Sequence, residues 1–374
     1  MRIHLALALA LPLSAGVAAC GSTASDSADV DAVVSVTSSD TTCELSTQDA
    51  VAGPTTFRVK NTGSQVSEFY VYASDGTAIV GEVENIGPGV SRQFDVALDA
   101  GDYVTACKPG MKGDGLRGQF TVAEADAAVA ADPTAVAGSA AYVGWVNRQA
   151  EQLLVGTKEF AAAVTNGNIA KAKDLYPQVR MNWERIEPVA ESFGDLDPKL
   201  DARINDLEPG QAFTGWHRLE RDLWTTGLRK DSSKIADQMV KDTKGLVSRI
   251  AVLKLTADRI TNGSKELLDE VASGKITGEE ERYSHTDLWD FQANVEGSYK
   301  GYQVLEPLII ERDPQLAKEL DKQFAAMFAL LDEYRQGNGF VSYTDLSDKD
   351  VRLLSAQLEA LSEPVSKMTA VVLQ

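Results

Sequence analysis

The sequence predicts two domains of different class, an amino-terminal antiparallel β-sandwich and a carboxy-terminal all-α bundle domain. Three observations carry that prediction. At 374 residues the chain is long enough for two cores. Residues 30–122 alternate apolar and polar side chains in short runs broken by Gly, Pro and Asn, as in Thr56-Phe57-Arg58-Val59 and Tyr103-Val104-Thr105-Ala106-Cys107, which is the pattern of strands joined by turns. From Tyr142 onward the apolar period lengthens to that of helices, and no strand pattern returns.

The elements follow in order. Met1–Ala19 pairs one basic residue, Arg2, with an apolar run from Leu5 to Leu13, the layout of a secretory signal too short to span a bilayer. Val17-Ala18-Ala19-Cys20 resembles a lipobox, which makes Cys20 the acylated first residue of the mature chain, with residues 20–29 as a small polar tether. Any membrane contact is then through lipid alone, and the protein is expected to be exported, anchored at the outer face of the cytoplasmic membrane or periplasmic. In that oxidising space Cys43 and Cys107, the two remaining cysteines, are expected to pair. The formal net charge of −19 excludes nucleic acid as a natural partner and suits a binder of cations.

Residues 123–141, Ala-rich with Asp132-Pro133 and Gly138-Ser139, read as a linker to the helical domain of 142–374. Val146, Leu153, Phe160 and Val164 mark a first helix there, closed by Asn166-Gly167-Asn168. Leu175, Val179, Trp183, Ile186 and Val189 mark a second. A short helix holds Trp216 to Trp224, and a long one is expected over 232–261. Others cover 287–310 and 313–337, the latter opened by Asp313-Pro314, and the last runs from near Asp345 to the end. Ile186-Glu187-Pro188-Val189 with Asp197-Pro198 is echoed by Leu305-Glu306-Pro307-Leu308 with Asp313-Pro314, a weak internal repeat that implies two related sub-bundles.

Chemistry concentrates in the helical domain. His217 and Glu220, three residues apart, share one helix face and can meet one cation from the same turn. Glu184, Glu187 and Glu191 fall at i, i+3 and i+7 of the second helix, and no lysine follows Lys173 to relieve them. A bound cation would remove that repulsion. Asp201 and Glu280 add carboxylates, with Glu281 as an alternative to Glu280. One imidazole among carboxylates suits Fe, Mn or Zn better than a thiolate-selected metal.

Gly215-Trp216-His217-Arg218-Leu219-Glu220, the run from Ile186 to Pro198 and Tyr283-Ser284-His285-Thr286-Asp287-Leu288-Trp289 resemble the imelysin-like (HxxE) helical domain. The sandwich resembles the cupredoxin-like domain that precedes it in bacterial iron-uptake proteins. The resemblance covers nearly the whole mature chain. It implies a double four-helix-bundle domain that binds iron, Fe2+ or Fe3+, through His217 and Glu220 with Glu184, Glu187, Asp201 and Glu280 around the metal. It also implies two partners, an iron permease in the cytoplasmic membrane and a haem-dependent peroxidase of the same system.

Within the sandwich, Asn61 to Phe69, Gly101-Asp102-Tyr103 and Cys107 to Met111 follow the layout of a cupredoxin. A blue-copper site needs two histidines, and the sandwich has none; Glu68 stands where the first would be. Two readings stay open: a carboxylate and sulfur site for copper or another metal, built from Glu68, Cys107, Met111 and Cys43 or Asp102, or a Cys43–Cys107 disulfide with Met111 in the core. The expected function is capture of iron outside the membrane and delivery to the permease, by a binding protein rather than an enzyme, with iron oxidation at the sandwich as the enzymatic activity left open. The rivals are a His/Glu zinc-dependent peptidase that adds His285 to His217 and Glu220, and a binder of acidic polysaccharide through bridging cations.

Overall fold

The alternation of the first domain becomes strands β1 (Ala32–Ser38), β2 (Cys43–Leu45), β3 (Asp49–Val51), β4 (Gly53–Asn61), β5 (Ser67–Ala73), β6 (Ile79–Ile86), β7 (Ser91–Leu98), β8 (Gly101–Cys107) and β9 (Leu116–Ala123). They are seen in a computed structural model that describes residues 32–125, 132–207 and 209–374. Cys20, the leader and the tether lie outside the described residues. One sheet runs β2-β1-β4-β7 and the other β3-β9-β8-β5-β6. Most neighbours are antiparallel, but β1 with β4 and β3 with β9 pair in parallel. The inward positions of both sheets close over Phe57, Phe69, Phe94 and Phe120, with Phe57 and Phe120 ring centroids 5.5 Å apart. Asn61 fixes the β4–β5 loop, its amide donating to the Gln65 and Ile86 carbonyls at 2.7 Å each.

Cys43 and Cys107 form a disulfide that ties one sheet to the other across 64 residues of sequence. Closing a loop of that length removes about 4 kcal/mol of unfolded-chain entropy. The bond takes both thiolates away from the proposed carboxylate and sulfur site. Met111 is 46% exposed instead of lying in the core. Asp102 is exposed at the opposite end of β8 from Cys107.

The helical domain begins earlier than expected. Helix α1 (Pro133–Thr165) starts inside the stretch read as linker, with the Asp132 carboxylate accepting from the Thr134 and Ala135 amides. Asp-Pro here is an N-cap and a first-turn proline, and the Ala-rich run that follows is good helix former. After α2 (Ile169–Glu184) the chain turns at Arg185-Ile186 into α3 (Glu187–Glu191) and then α4 (Asp197–Leu200) and α5 (Gly215–Arg221). The long helix expected over 232–261 is two, α6 (Ser232–Ile250) and α7 (Ala257–Ser273). No Gly or Pro breaks it; the new helix starts where Asp258 meets the sandwich, its Oδ2 accepting from the Ala97 amide at 2.8 Å. Then follow α8 (Asp287–Arg312), α9 (Pro314–Asp332), α10 (Asp348–Val365) and α11 (Met368–Val372). A two-strand ribbon lies between α9 and α10, with β10 (Arg335–Gln336) at the end of the helix expected over 313–337 and β11 (Gly339–Phe340) in the gap after it.

Helix α1 packs on α2, α6 and α8, while α8 also joins α7 and α9, and α10 closes on α9 and α7. Two four-helix groups therefore share α8 and one continuous apolar core. The sequence echo holds in part. Asp197-Pro198 and Asp313-Pro314 both open helices, whereas Glu187-Pro188 starts α3 and Glu306-Pro307 lies inside α8. From Asp31 to Gln374 sandwich and helices form one compact unit. Besides the Asp258 contact, Asn262 donates to the Asp95 carbonyl at 2.8 Å and the Ile79 amide to the Ser192 carbonyl at 3.2 Å.

Candidate metal centre

The His217 helix is placed by its first residue. Gly215 has φ of 77° and its α-carbon abuts the Leu200 carbonyl so closely that a Cβ would overlap it. Only glycine takes both that conformation and that contact without strain. The start of α5 is thereby set against the end of α4, and His217 comes beside Asp201. Glu184 reaches the same space from the last turn of α2, Glu187 from the first turn of α3, and Glu280 and Glu281 from the loop before α8.

Three overlapping groups of donor atoms result, each within 4.8 Å internally and all buried: Asp201, His217 and Glu280; His217, Glu220 and Glu281; Glu184, Glu187 and Asp201. Every residue expected at the metal from the helical domain is thus in one buried cluster, with Glu281 beside Glu280 and not in its place. His285 is in none of these groups. Glu191 is not on a stripe with Glu184 and Glu187, because the helix breaks at Arg185-Ile186; it lines a cavity facing the sandwich.

His217 is 2% exposed. Its Nδ1 lies 3.2 Å from Glu220 Oε2, and Nε2 lies 3.3 Å from Glu280 Oε1 and 3.5 Å from Asp201 Oδ1. Nε2 has no hydrogen-bond partner of good geometry. The other Glu220 oxygen accepts from the Tyr283 and Ser284 amides at 2.8 and 2.7 Å.

Counter-charges are present that the sequence reading did not foresee. Arg180, fully buried, pairs with Asp201 and Glu184 and lies 2.7 Å from Glu281, 3.5 Å from Glu280 and 3.7 Å from Asp290. Lys275 Nζ sits 3.0 Å from Glu187, 3.1 Å from Glu184 and 3.9 Å from Glu270. Arg203 holds Glu280 Oε2 at 2.7 Å. Glu184 and Glu187 therefore do not stand without a counter-charge: Lys275 lies against both and Arg180 against Glu184. Arg180 could have been found, being one turn before Glu184 at i, i+4. Lys275, 88 residues from Glu187, left no local signal.

The carboxylates nonetheless exceed the cations, and their ionisation shows it. Burial, then repulsion from Glu187, pushes Glu184 up to about 8. Burial pushes Glu187 up to about 7 against the pull of Lys275. Burial would also raise Glu280, but Lys275, Arg203 and His217 hold it well below the usual range. Burial and Arg180 oppose charging of His217, yet Glu220, Glu280 and Asp201 outweigh them and hold its pKa well above the usual imidazole range. Buried oxygen donors beside an imidazole, short of positive charge, fit a hard or borderline cation such as iron.

The sandwich carries a separate carboxyl cluster. The Tyr70 hydroxyl lies 2.9 Å from both Glu68 Oε2 and Glu84 Oε1, though it has one proton to donate. Glu68 therefore shares Tyr70 with a second carboxyl, and Lys108, 4.0 Å over the Tyr70 ring, is the cation beside them. A cavity of about 450 Å3 opens here between Tyr70, Glu82, Glu84 and Lys108 of the sandwich and Glu191 and Asp197 of the helices.

Comparison with known proteins agrees with this architecture. A family profile described as imelysin matches residues 138–368, and one described as a cupredoxin-like domain matches residues 8–122. The chain is 39% identical over 346 residues to the iron uptake system component EfeO of Escherichia coli O1:K1, covering 91% of each protein. It is 38% identical over 370 residues, 97% of each, to the proteins of that name from Escherichia coli K12 and Shigella flexneri. Among solved structures, a reduced auracyanin from Roseiflexus castenholzii aligns at 20% identity with 25% of this chain and 97% of its own, with a TM-score of 0.21.

Proposed function

The chain belongs to the imelysin family and carries a cupredoxin-like domain ahead of the helical one, and from that membership we propose that it is the iron-binding component of a bacterial iron-uptake system. It captures the ion outside the cytoplasmic membrane and passes it to an iron permease, in a system that also contains a haem-dependent peroxidase. Support comes from the name shared by its relatives, iron uptake system component. No described helix is long and apolar enough to cross a membrane, and the anchor is the lipid on Cys20.

The observation that carries the reading is the set of three overlapping buried donor groups, two sharing His217 and two sharing Asp201. An ion held by donors from α4, α5 and the loop before α8 joins segments far apart in sequence. A ligand that binds only the folded state stabilises it by RT ln(1 + [L]/Kd), about 2.7 kcal/mol at a hundredfold excess over Kd. Nothing in the geometry favours the peptidase that would use His285, since that residue is in none of the donor groups.

The test is metal analysis of the full chain purified without chelators, followed by anaerobic Fe2+ titration with melting as readout. The parent should bind iron and melt higher with it. His217→Ala and Glu280→Gln should each lose most of both effects. Unchanged binding in His217→Ala would place the iron elsewhere.

A further inference from the structure

We propose that His217 and Glu220 do not share a cation: Glu220 is a positioning residue that keeps a proton on His217 Nδ1, so that Nε2 binds the ion together with Asp201 and Glu280. The inference rests on the functional reading above and divides the labour within its site.

Both oxygens of Glu220 are already engaged. Oε1 takes two backbone amides, from Tyr283 and Ser284, and Oε2 faces Nδ1 at 3.2 Å. The loop that delivers those amides is built for it. His285, the residue after them, has φ of 58°, a conformation sparsely used by residues other than glycine, and its carbonyl accepts from the Tyr343 amide at 3.0 Å. A cation between Glu220 and Nδ1 would have to break these contacts or be shared with them. Its third donor there, Glu281, is equally engaged: Oε1 accepts from the Tyr176 hydroxyl at 3.2 Å and lies 2.7 Å from Arg180 Nε, while Oε2 accepts from Ser284 Oγ at 2.8 Å.

The other side of the ring is different. Nε2 is buried and makes no hydrogen bond of good geometry; what faces it are carboxylate oxygens, the donors a cation takes. Glu280 Oε1 and Asp201 Oδ1 stand 3.3 and 3.5 Å from it. Donors bound to one metal at about 2.0–2.2 Å, at tetrahedral or octahedral angles, lie roughly 3.0–3.5 Å from each other. Both oxygens thus already stand from Nε2 at about the separation of two ligands in one coordination shell, and the three donors lie within 4.8 Å of one another. Arg180 pairs with Asp201 Oδ1 itself and Arg203 with the other Glu280 oxygen, but a carboxylate oxygen has more than one lone pair, and besides Nε2 Glu280 Oε1 has the 3.5 Å approach of Arg180. A histidine that binds metal through one nitrogen generally donates its other N–H to a carboxylate or carbonyl, which fixes the tautomer. Glu220 is that carboxylate.

Glu220→Gln in the full chain separates the roles. The two amides require an oxygen at the Oε1 position, so the new NH2 must face Nδ1 and can only donate to it. Above the imidazole's titration the ring proton then moves to Nε2 and blocks it. We expect a folded protein whose Fe2+ affinity falls about 10–100-fold, the usual cost of losing such an outer partner. With histidine labelled in 15N and Zn2+ as a diamagnetic probe, the parent should show His217 coordinated through Nε2 with Nδ1–H retained. Coordination through Nδ1, or Glu220→Gln binding as tightly as the parent, overturns the division of labour and leaves the site standing. Zn2+ binding that leaves both His217 nitrogens unperturbed overturns the site as well.

Discussion

Lys275 is the side chain on which the energetics of the unloaded cluster turn. Its ammonium lies between Glu184 and Glu187 with no exposure, so it neutralises carboxylates that would otherwise be buried together. Removing one member of a buried ion cluster costs about 3–5 kcal/mol, because the partners stay behind uncompensated. Lys275→Met should therefore melt well below the parent without metal, and a saturating divalent cation should restore more stability to it than to the parent. Equal cation-induced gains would show that the ammonium does not compete with the ion. His217 supports a second expectation. Its pKa is held well above the usual range by Glu220, Glu280 and Asp201 against burial and Arg180, so it enters the neutral range charged. A metal at the ring must then release a proton, and iron affinity should rise with pH across neutrality. Calorimetry in buffers of different ionisation enthalpy would read the released proton; binding heats independent of buffer would contradict it.

At the scale of elements, the site depends on short segments held by particular contacts. Helices α3, α4 and α5 are each too short to be stable alone, and their register comes from what they abut. Gly215 is the sharpest case, with a left-handed φ and no room for a Cβ beside the Leu200 carbonyl. Gly215→Ala should cost about 1–3 kcal/mol from the strained backbone and the displaced neighbour. It should also lower iron affinity, because the shift moves His217 away from Asp201. Gly210, at φ of 92° with nothing near its Cβ position, offers the control: Gly210→Ala should lose stability only and keep affinity.

The whole molecule adds a boundary that neither domain has alone. Glu84 of the sandwich and Glu266 and Glu270 of α7 face each other across it, and burial, with mutual repulsion, pushes them up to about 7, 8 and 7. Lys108, Lys265 and Lys275 pull them down without prevailing. A carboxyl raised in the folded state binds its proton more tightly there than in the unfolded chain, where about 4.5 applies. Its contribution to stability is fully present below that value and is lost as pH rises through 7 to 8. The metal-free protein should accordingly lose stability between pH 5.5 and 8.5. Glu220 and Glu280, whose pKa values are lowered, are ionised throughout that window and do not oppose the trend. Glu84→Gln with Glu266→Gln should flatten the profile; an unchanged slope would assign it to other groups.

What the sequence determined by itself is what repeats locally. Period-two alternation specified the sandwich, period-3.6 stripes the helices, and His217-x-x-Glu220 the point on which donors converge, because each is a property of neighbouring residues. Asp132-Pro133 opens a helix, yet its sequence suits a linker turn equally, since cap and turn use the same residues. Tertiary structure alone decided the rest. The break between α6 and α7 falls just before Asp258 meets the Ala97 amide, a contact across 161 positions. The Cys43–Cys107 disulfide chose between two readings of the same sulfurs. Arg180 and Lys275 became counter-ions, and Glu220 came under two backbone amides 63 and 64 residues away. The physical reason is one of range: hydrophobic period is felt over a few residues, whereas the charge state of a buried carboxyl depends on every group within a few ångströms, whatever its place in the chain.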